Sequence, residues 1–294
     1  MSGLVIVGAD GSASSLVAVE AAAREARWRD AGLRIVNAFH WPVASVPLWQ
    51  ALPMPDEGEI RKMTEGLLAE AVRRARTAAP SVDVTHAVVV GEPVTVLEAQ
   101  SRAAELLVVG SRGVGGFVGL LLGSTAVHLA AHGRCPVLVV RDRAESGGPI
   151  VLAVDGSRAG EAAVDFAFAE AALRGVGLVA LHAWTTWNAP VPPPQDPAEP
   201  YASGPGMLAQ AEERLLAEAL AGRRERYPEV PVELRVVHGA TREALVEASS
   251  AAQLLVVGAR GRGGFAGLLL GSVSQAVLHH AHCPVAVVRP LGER

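Results

Sequence analysis

Residues 106–124 read LLVVGSRGVGGFVGLLLGS, and residues 254–272 read LLVVGARGRGGFAGLLLGS. Each stretch opens on a short, wholly apolar run, the composition of a parallel strand buried on both faces. A glycine-rich loop follows. Gly110, Gly113 and Gly123 in the first copy match Gly258, Gly261 and Gly271 in the second, each displaced by 148 residues. Ser124-Thr125 and Ser272-Val273 come directly after the last glycine, and apolar residues at helical spacing continue from there. Strand, glycine loop, hydroxyl residue and helix start together present backbone N–H groups in the way that receives a phosphate. Glycine lets that backbone approach a ligand with no side chain in between.

The duplication extends outward from this stretch. Gly3 to Asp10 is an apolar strand ending Ala9-Asp10-Gly11-Ser12, and Ile150 to Asp155 repeats it, ending Val154-Asp155-Gly156-Ser157, at an offset of 145. Leu33–Phe39 and Leu178–Trp184 keep that offset, whereas from Gly91 and Gly239 onward it is 148. The three extra residues therefore fall between the second and third strands, where a loop absorbs them. In the first copy the pattern predicts strands at about 3–9, 33–39, 83–90, 106–110 and 137–140. It predicts helices at about 13–31, 58–79, 93–104 and 124–132, with Ser12 and Ser157 as N-caps and Pro93 opening the third helix. Strands alternating with helices mean a parallel, doubly wound α/β sheet, here built twice, over residues 1–142 and 149–294 with a short polar connector. Ligands of such sheets lie beyond the strand C-termini at the switch in strand order, where Asp10 would face the loop from Gly110, and Asp155 the loop from Gly258.

Composition narrows the chemistry. The 294 residues are half apolar with a net charge of −4 and no basic block, so nucleic-acid binding has no electrostatic support. Lys62 is the only lysine among 26 basic residues, so neither glycine loop has one to offer a phosphate. That separates the motif from a Walker P-loop, and its glycine spacing separates it from a dinucleotide turn. Phosphate charge would have to be met by amides, by Arg112 or Arg260, and by a divalent ion. Asp10 and Asp155 are the carboxylates placed to share a Mg²⁺ with phosphate oxygens. The competing reading of both aspartates is a turn or cap leading into the first helix. No repeated nucleophile and base is present, so fast catalysis is not expected. His128 and His132 sit four apart on a helix, but the second copy offers Ala276 and His280, so a helix-end role is expected rather than a zinc site. Cys135 and Cys283 read as small buried hydrophobes. There is no signal-type N-terminus and no stretch long enough to span a membrane, so a cytoplasmic protein is expected. The Pro- and Trp-bearing loops 40–57 and 183–206 are either solvated spacers or flaps over the site. The apolar run Phe117–Leu122, repeated at Phe265–Leu270, packs on its own domain or helps to pair the domains.

In the doubled Gly-x2-Gly-x9-Gly-Ser pattern, each copy with its strand ending in Asp-Gly-Ser and its closing Cys-Pro-Val strand, the chain resembles the universal stress protein family in its tandem form. The resemblance covers nearly the whole chain apart from the two Pro-rich loops. It implies strand order 3-2-1-4-5 in each domain, fifth strands pairing across a two-fold axis, and adenine-nucleotide binding of the ATP type. By position it implies that Ala9-Asp10 and Val154-Asp155 lie near the ribose and metal-bound phosphates. Backbone around Asn37-Ala38 and His182-Ala183 would line the adenine. Gly110, Arg112 and Gly113, with Gly258, Arg260 and Gly261, would border the ribose and phosphates. The helix starts at Gly123-Ser124-Thr125 and Gly271-Ser272-Val273 would hold the phosphates. Asn37 stands where the second copy has His182, so the two adenine pockets need not match. The expected role is a nucleotide-dependent stress sensor or regulator. A slow enzyme and a scaffold with structural nucleotide are the alternatives, and pairing of two chains into a homodimer is left open.

Overall fold

The computed structural model describes residues 3–39, 57–113, 122–141, 147–185, 205–262 and 269–290. The central parts of both Pro-rich loops, the tips of both glycine loops and most of the connector lie outside these residues, and with them the flap and domain-pairing readings. The chain divides into two compact units, Met1–Asp142 and Arg143–Arg294.

The first unit runs β1 (Leu4–Gly8), α1 (Ala13–Trp28), β2 (Gly32–Phe39), α2 (Glu57–Ala78), β3 (Val84–Val90), α3 (Pro93–Gln100), β4 (Leu106–Gly110), α4 (Ser124–His132) and β5 (Val137–Val140). Its strands pair in parallel in the order β3-β2-β1-β4-β5, the expected 3-2-1-4-5. Val5, Ile6 and Val7 of β1 have no exposed surface, as a strand sandwiched between helix layers requires. Helix α1 packs against α2, and α3 against α4. The order turns back beside β1, so the C-terminal ends of β1 and β4 flank the switch point.

The second unit repeats the plan with β6 (Ile150–Ala153), α5 (Glu161–Arg174), β7 (Leu178–Trp184), α6 (Pro205–Ala219), a one-turn α7 (Arg223–Arg226), β8 (Val232–His238), α8 (Thr241–Ala248), β9 (Leu254–Gly258), α9 (Ser272–His280) and β10 (Val285–Val288). The strand order within this unit is β8-β7-β6-β9-β10, all parallel, which in its own numbering is again 3-2-1-4-5. Every residue of β7 is buried.

Three element ends differ from the sequence expectation, each for a local reason. Helix α1 stops at Trp28 because Asp30 enters the left-handed region at φ 50, with Ala31 N–H donating to Ala26 and Asp30 N–H to Arg27. This is the Schellman geometry. In the second unit Gly175 takes the same place at φ 64, with the equivalent bonds from Val176 and Gly175. Helix α3 stops at Gln100 because Ser101 Oγ donates back to the Glu98 carbonyl and accepts the Arg134 amide. Ser249 does the same with Val246 and His282. Ser12 caps α1 through the Ser15 amide, but Ser157 caps a 3-10 turn, Arg158–Gly160, and α5 begins only after it. Both cysteines are buried thiols outside any disulfide, and burial pushes the Cys135 thiol up to about 12. No described helix is long and apolar enough to cross a membrane.

Candidate functional site

In the first unit a cavity of about 600 Å³ opens at the C-terminal ends of β1, β2 and β4. Gly8, Ala9 and Asp10 border it from β1, Val36 and Ala38 from β2, and Val109 and Gly110 from β4. Arg112 and Gly113 follow from the loop, Leu122 to Ala126 from the start of α4, and Pro93 and Leu97 from α3. The glycines have distinct reasons to be glycine. A Cβ on Gly110 would lie 2.8 Å from the Ser14 backbone, and one on Gly113 would lie 2.6 Å from Asp10 Oδ2. A Cβ on Gly123 meets nothing closer than 3.6 Å, so the fold itself leaves room there.

Two helix starts near the cavity contrast. That of α1 is closed by its own sequence. Ser12 Oγ accepts the Ser15 amide at 3.1 Å and donates to Asp10 Oδ1 at 2.6 Å, while the Ser12 amide donates to the same oxygen at 3.0 Å. Asp10 therefore is a turn-forming residue as well as a cavity residue. That of α4 has extended Gly123 as N-cap (φ −77, ψ 148) with no side-chain cap, and Ser124, Thr125 and Ala126 line the cavity. Its first amides, at the positive end of the helix dipole, face the space where a ligand would sit.

The second unit brings the matching residues together. Asp155 Oδ1 accepts the Ser157 amide and hydroxyl at 3.0 and 2.7 Å, and Asp155 Oδ2 accepts the Arg262 amide of the glycine loop at 2.8 Å. A Cβ on Gly261 would fall 2.5 Å from that oxygen. The Gly271 amide donates to Ala259, as the Gly123 amide does to Ser111. Gly271 is an extended N-cap without a side-chain cap, so Ser272 and Val273 open α9 as Ser124 and Thr125 open α4. Ser274 Oγ donates to the Gly258 carbonyl at 2.7 Å.

The side chains at positions 37 and 182 bond the end of the neighbouring strand. Strand alternation turns Val36 and Ala38 toward the cavity and Asn37 to the other face. There Asn37 Nδ2 donates to the Ala9 carbonyl at 2.8 Å. His182 reaches the equivalent Val154 carbonyl with Nδ1 at 2.7 Å, and its Nε2 lies 2.7 Å from Glu212 Oε2 on α6. His182 and Glu212 are 5% and 2% exposed. A carbonyl only accepts, so Nδ1 carries a proton. The Nε2–Oε2 contact needs a proton of its own, which either atom can supply. Ala183 is buried beside it.

Sequence reading missed Glu212, although a signal existed. It stands four residues before Leu216 and eight before Leu220, both fully buried, so a carboxylate occupies a core stripe of α6. It also missed Pro93 and Leu97, whose helix face closes one side of the cavity. His128 pairs with Glu98 at 3.1 Å and stacks on His132, whose Nδ1 bonds the His128 carbonyl. Among the described residues no group of three or more His, Cys, Asp or Glu is placed to hold a metal ion.

A duplicated doubly wound sheet whose glycine loops meet the first-strand aspartates defines a class of tandem α/β proteins, here with a cavity at the switch point of the first half. The chain belongs to the universal stress protein family, which matches residues 1–141 and 148–289. A universal stress protein of Mycobacterium tuberculosis is 39% identical over 295 residues, covering 97% of this chain and 96% of the relative. The solved universal stress protein of Archaeoglobus fulgidus superposes with a TM-score of 0.69 at 19% identity, over 98% of this chain and 97% of that one, a likeness of fold. A shorter universal stress protein, solved in complex with cAMP, aligns with 47% of this chain and 96% of its own at 33% identity and a TM-score of 0.37.

Proposed function

We propose that the chain is a nucleotide-dependent stress regulator that binds adenine nucleotide, ATP with Mg²⁺, at the switch point of each half. The observation that carries this reading is the cavity of about 600 Å³ onto which the uncapped start of α4 opens. Its volume falls in the range of small-molecule sites, about 300–1,000 Å³. A row of amides at a helix start is the group that a phosphate satisfies. In this reading Ser124 and Thr125, with Ser272 and Val273, hold the phosphates through backbone and hydroxyl groups. Arg112 and Arg260 supply positive charge, while Gly110, Gly113, Gly258 and Gly261 keep the loops low beside the ribose. Ala9, Ala38, Val154 and Ala183 border the base and sugar, and Asn37 and His182 act behind them by fixing the strand ends.

Mg²⁺ fits the donor set only as an ion shared with phosphate oxygens and water. Each half offers one carboxylate, Asp10 or Asp155, and those carboxylates already bind their own turns. When bound, the ion would supply charge neutralisation that the lysine-free loops lack.

The test is Gly123→Val and Gly271→Val, with ATP and Mg²⁺ titrated calorimetrically into nucleotide-free protein. A Cβ at these positions meets nothing closer than 3.6 and 3.4 Å, so both variants should fold. Each should lose one of two binding events. Two undiminished events in both folded variants would place the ligand elsewhere.

A further inference from the structure

In the second half a run of short contacts leads from the middle of α6 to the glycine loop. Glu212 Oε2 lies 2.7 Å from His182 Nε2. His182 Nδ1–H donates to the Val154 carbonyl over 2.7 Å. The next residue, Asp155, accepts the Arg262 amide over 2.8 Å. Three separate elements, α6, β7 and the end of β6, are thus joined to the loop after β9. In the first half the corresponding carbonyl, that of Ala9, is held by Asn37. Leu67 and Leu215, 148 residues apart, pack beneath Gly11 and Gly156, so the residue matching Glu212 on α2 is Thr64. An amide on β2 and a threonine on α2 replace the imidazole and the carboxylate.

We propose that His182 and Glu212 are positioning residues that couple the seating of α6 to the glycine loop, in the second half alone. The physical reason is the burial of the pair. If α6 shifts relative to β7, either the Glu212–His182 contact or the His182–Val154 bond breaks, leaving a buried polar group without its partner. The Val154 carbonyl and the Asp155 nitrogen share one peptide plane. Turning that plane re-aims the Asp155 carboxylate and with it the Arg262 amide. Coupling between two places is reciprocal, so a ligand that moves the loop is felt at α6. This last consequence rests on the nucleotide reading above; the coupling itself does not. The chain would then hold two nucleotide sites of different kind, one self-contained and one that reports to a helix.

The test is amide hydrogen exchange, resolved by residue, on the full chain without nucleotide. Glu212→Thr severs the link. Glu212→Gln keeps it, because the amide can donate to the imidazole Nε2 while Nδ1–H stays on Val154. The double variant His182→Asn/Glu212→Thr installs the first-half residues at both positions. Exchange at the Arg262 amide should rise about tenfold in Glu212→Thr, on the scale of a lost buried contact. It should rise severalfold in the double variant and stay near the native rate in Glu212→Gln. The Gly123 amide of the first half should not change in any of them. An unchanged Arg262 rate in the threonine or the double variant, with exchange faster in α6, reduces the pair to packing and overturns the proposal. If Glu212→Thr loosens the whole second half, the double and glutamine variants decide. Adding ATP and Mg²⁺ to the native chain gives the second arm. Changed protection of α6 but not of α2 supports the coupling, and occupancy of the second site with α6 unaffected overturns it. Absence of any nucleotide heat rejects the binding reading and leaves the exchange comparison to decide the coupling alone.

Discussion

In the first half the carbonyl ahead of the first-strand aspartate is held by an amide, Asn37, and in the second by an imidazole, His182, backed by a buried carboxylate, Glu212. The backbone asks for the same thing in both places, a donor on the hidden face of the second strand. An amide meets that need without charge. An imidazole meets it with one nitrogen and presents a second that must also be satisfied in a dry interior. Exchanging one side chain thus recruits another 30 residues away, and in the second half that residue ties α6 to the strand end.

The contrast can be broken by truncation. His182→Ala leaves Glu212 buried without its partner and should cost about 3–5 kcal/mol of second-half stability, the range for a broken buried pair. Asn37→Ala removes one neutral donor and should cost about 1–3 kcal/mol in the first half. Urea denaturation followed by circular dichroism, with exchange to assign the half, measures both. Equal losses would mean that Glu212 adds nothing to the imidazole's role.

Smaller differences sharpen the comparison. Ser12→Ala removes the cap of a full α-helix and should cost about 1 kcal/mol. Ser157→Ala should cost less, because Ser157 Oγ receives the Gly160 amide of a 3-10 turn. The same denaturation curves test the ranking, and a larger loss at Ser157 would reverse it. The smallest effect runs the other way. Asp30→Gly relieves a side chain held at φ 50 and should add about 0.5–1 kcal/mol, seen as a raised midpoint, whereas Gly175→Ala should remove a similar amount.

Much of this was legible in the residues because it depends on local pattern. Apolar runs gave the strands, the constant offsets gave the duplication, and the glycines of the loops mark close approaches, Gly110 to Ser14 and Gly113 to Asp10. The end of α1 was half legible, since Gly175 announces a left-handed cap and its counterpart Asp30 does not. What stayed hidden depends on a partner distant in sequence. Ser101 reads as an ordinary helical residue until the Arg134 amide arrives at its hydroxyl. Asn37 looks like a site residue beside Ala38 until the pleat turns it to the opposite face. Glu212 reads as one more charge on an amphipathic helix, and only its place on the buried stripe, with His182 opposite, gives it meaning.

The bond from Asp155 to the Arg262 amide has one more consequence. Fixing a residue's backbone costs on the order of 1–2 kcal/mol in conformational entropy. The first turn of the second glycine loop is fixed by this bond before any ligand arrives, so that loss is incurred when the chain folds and not when something binds. A molecule bound there, as proposed above, would meet a preorganised surface, and more of its contact energy would remain available as affinity.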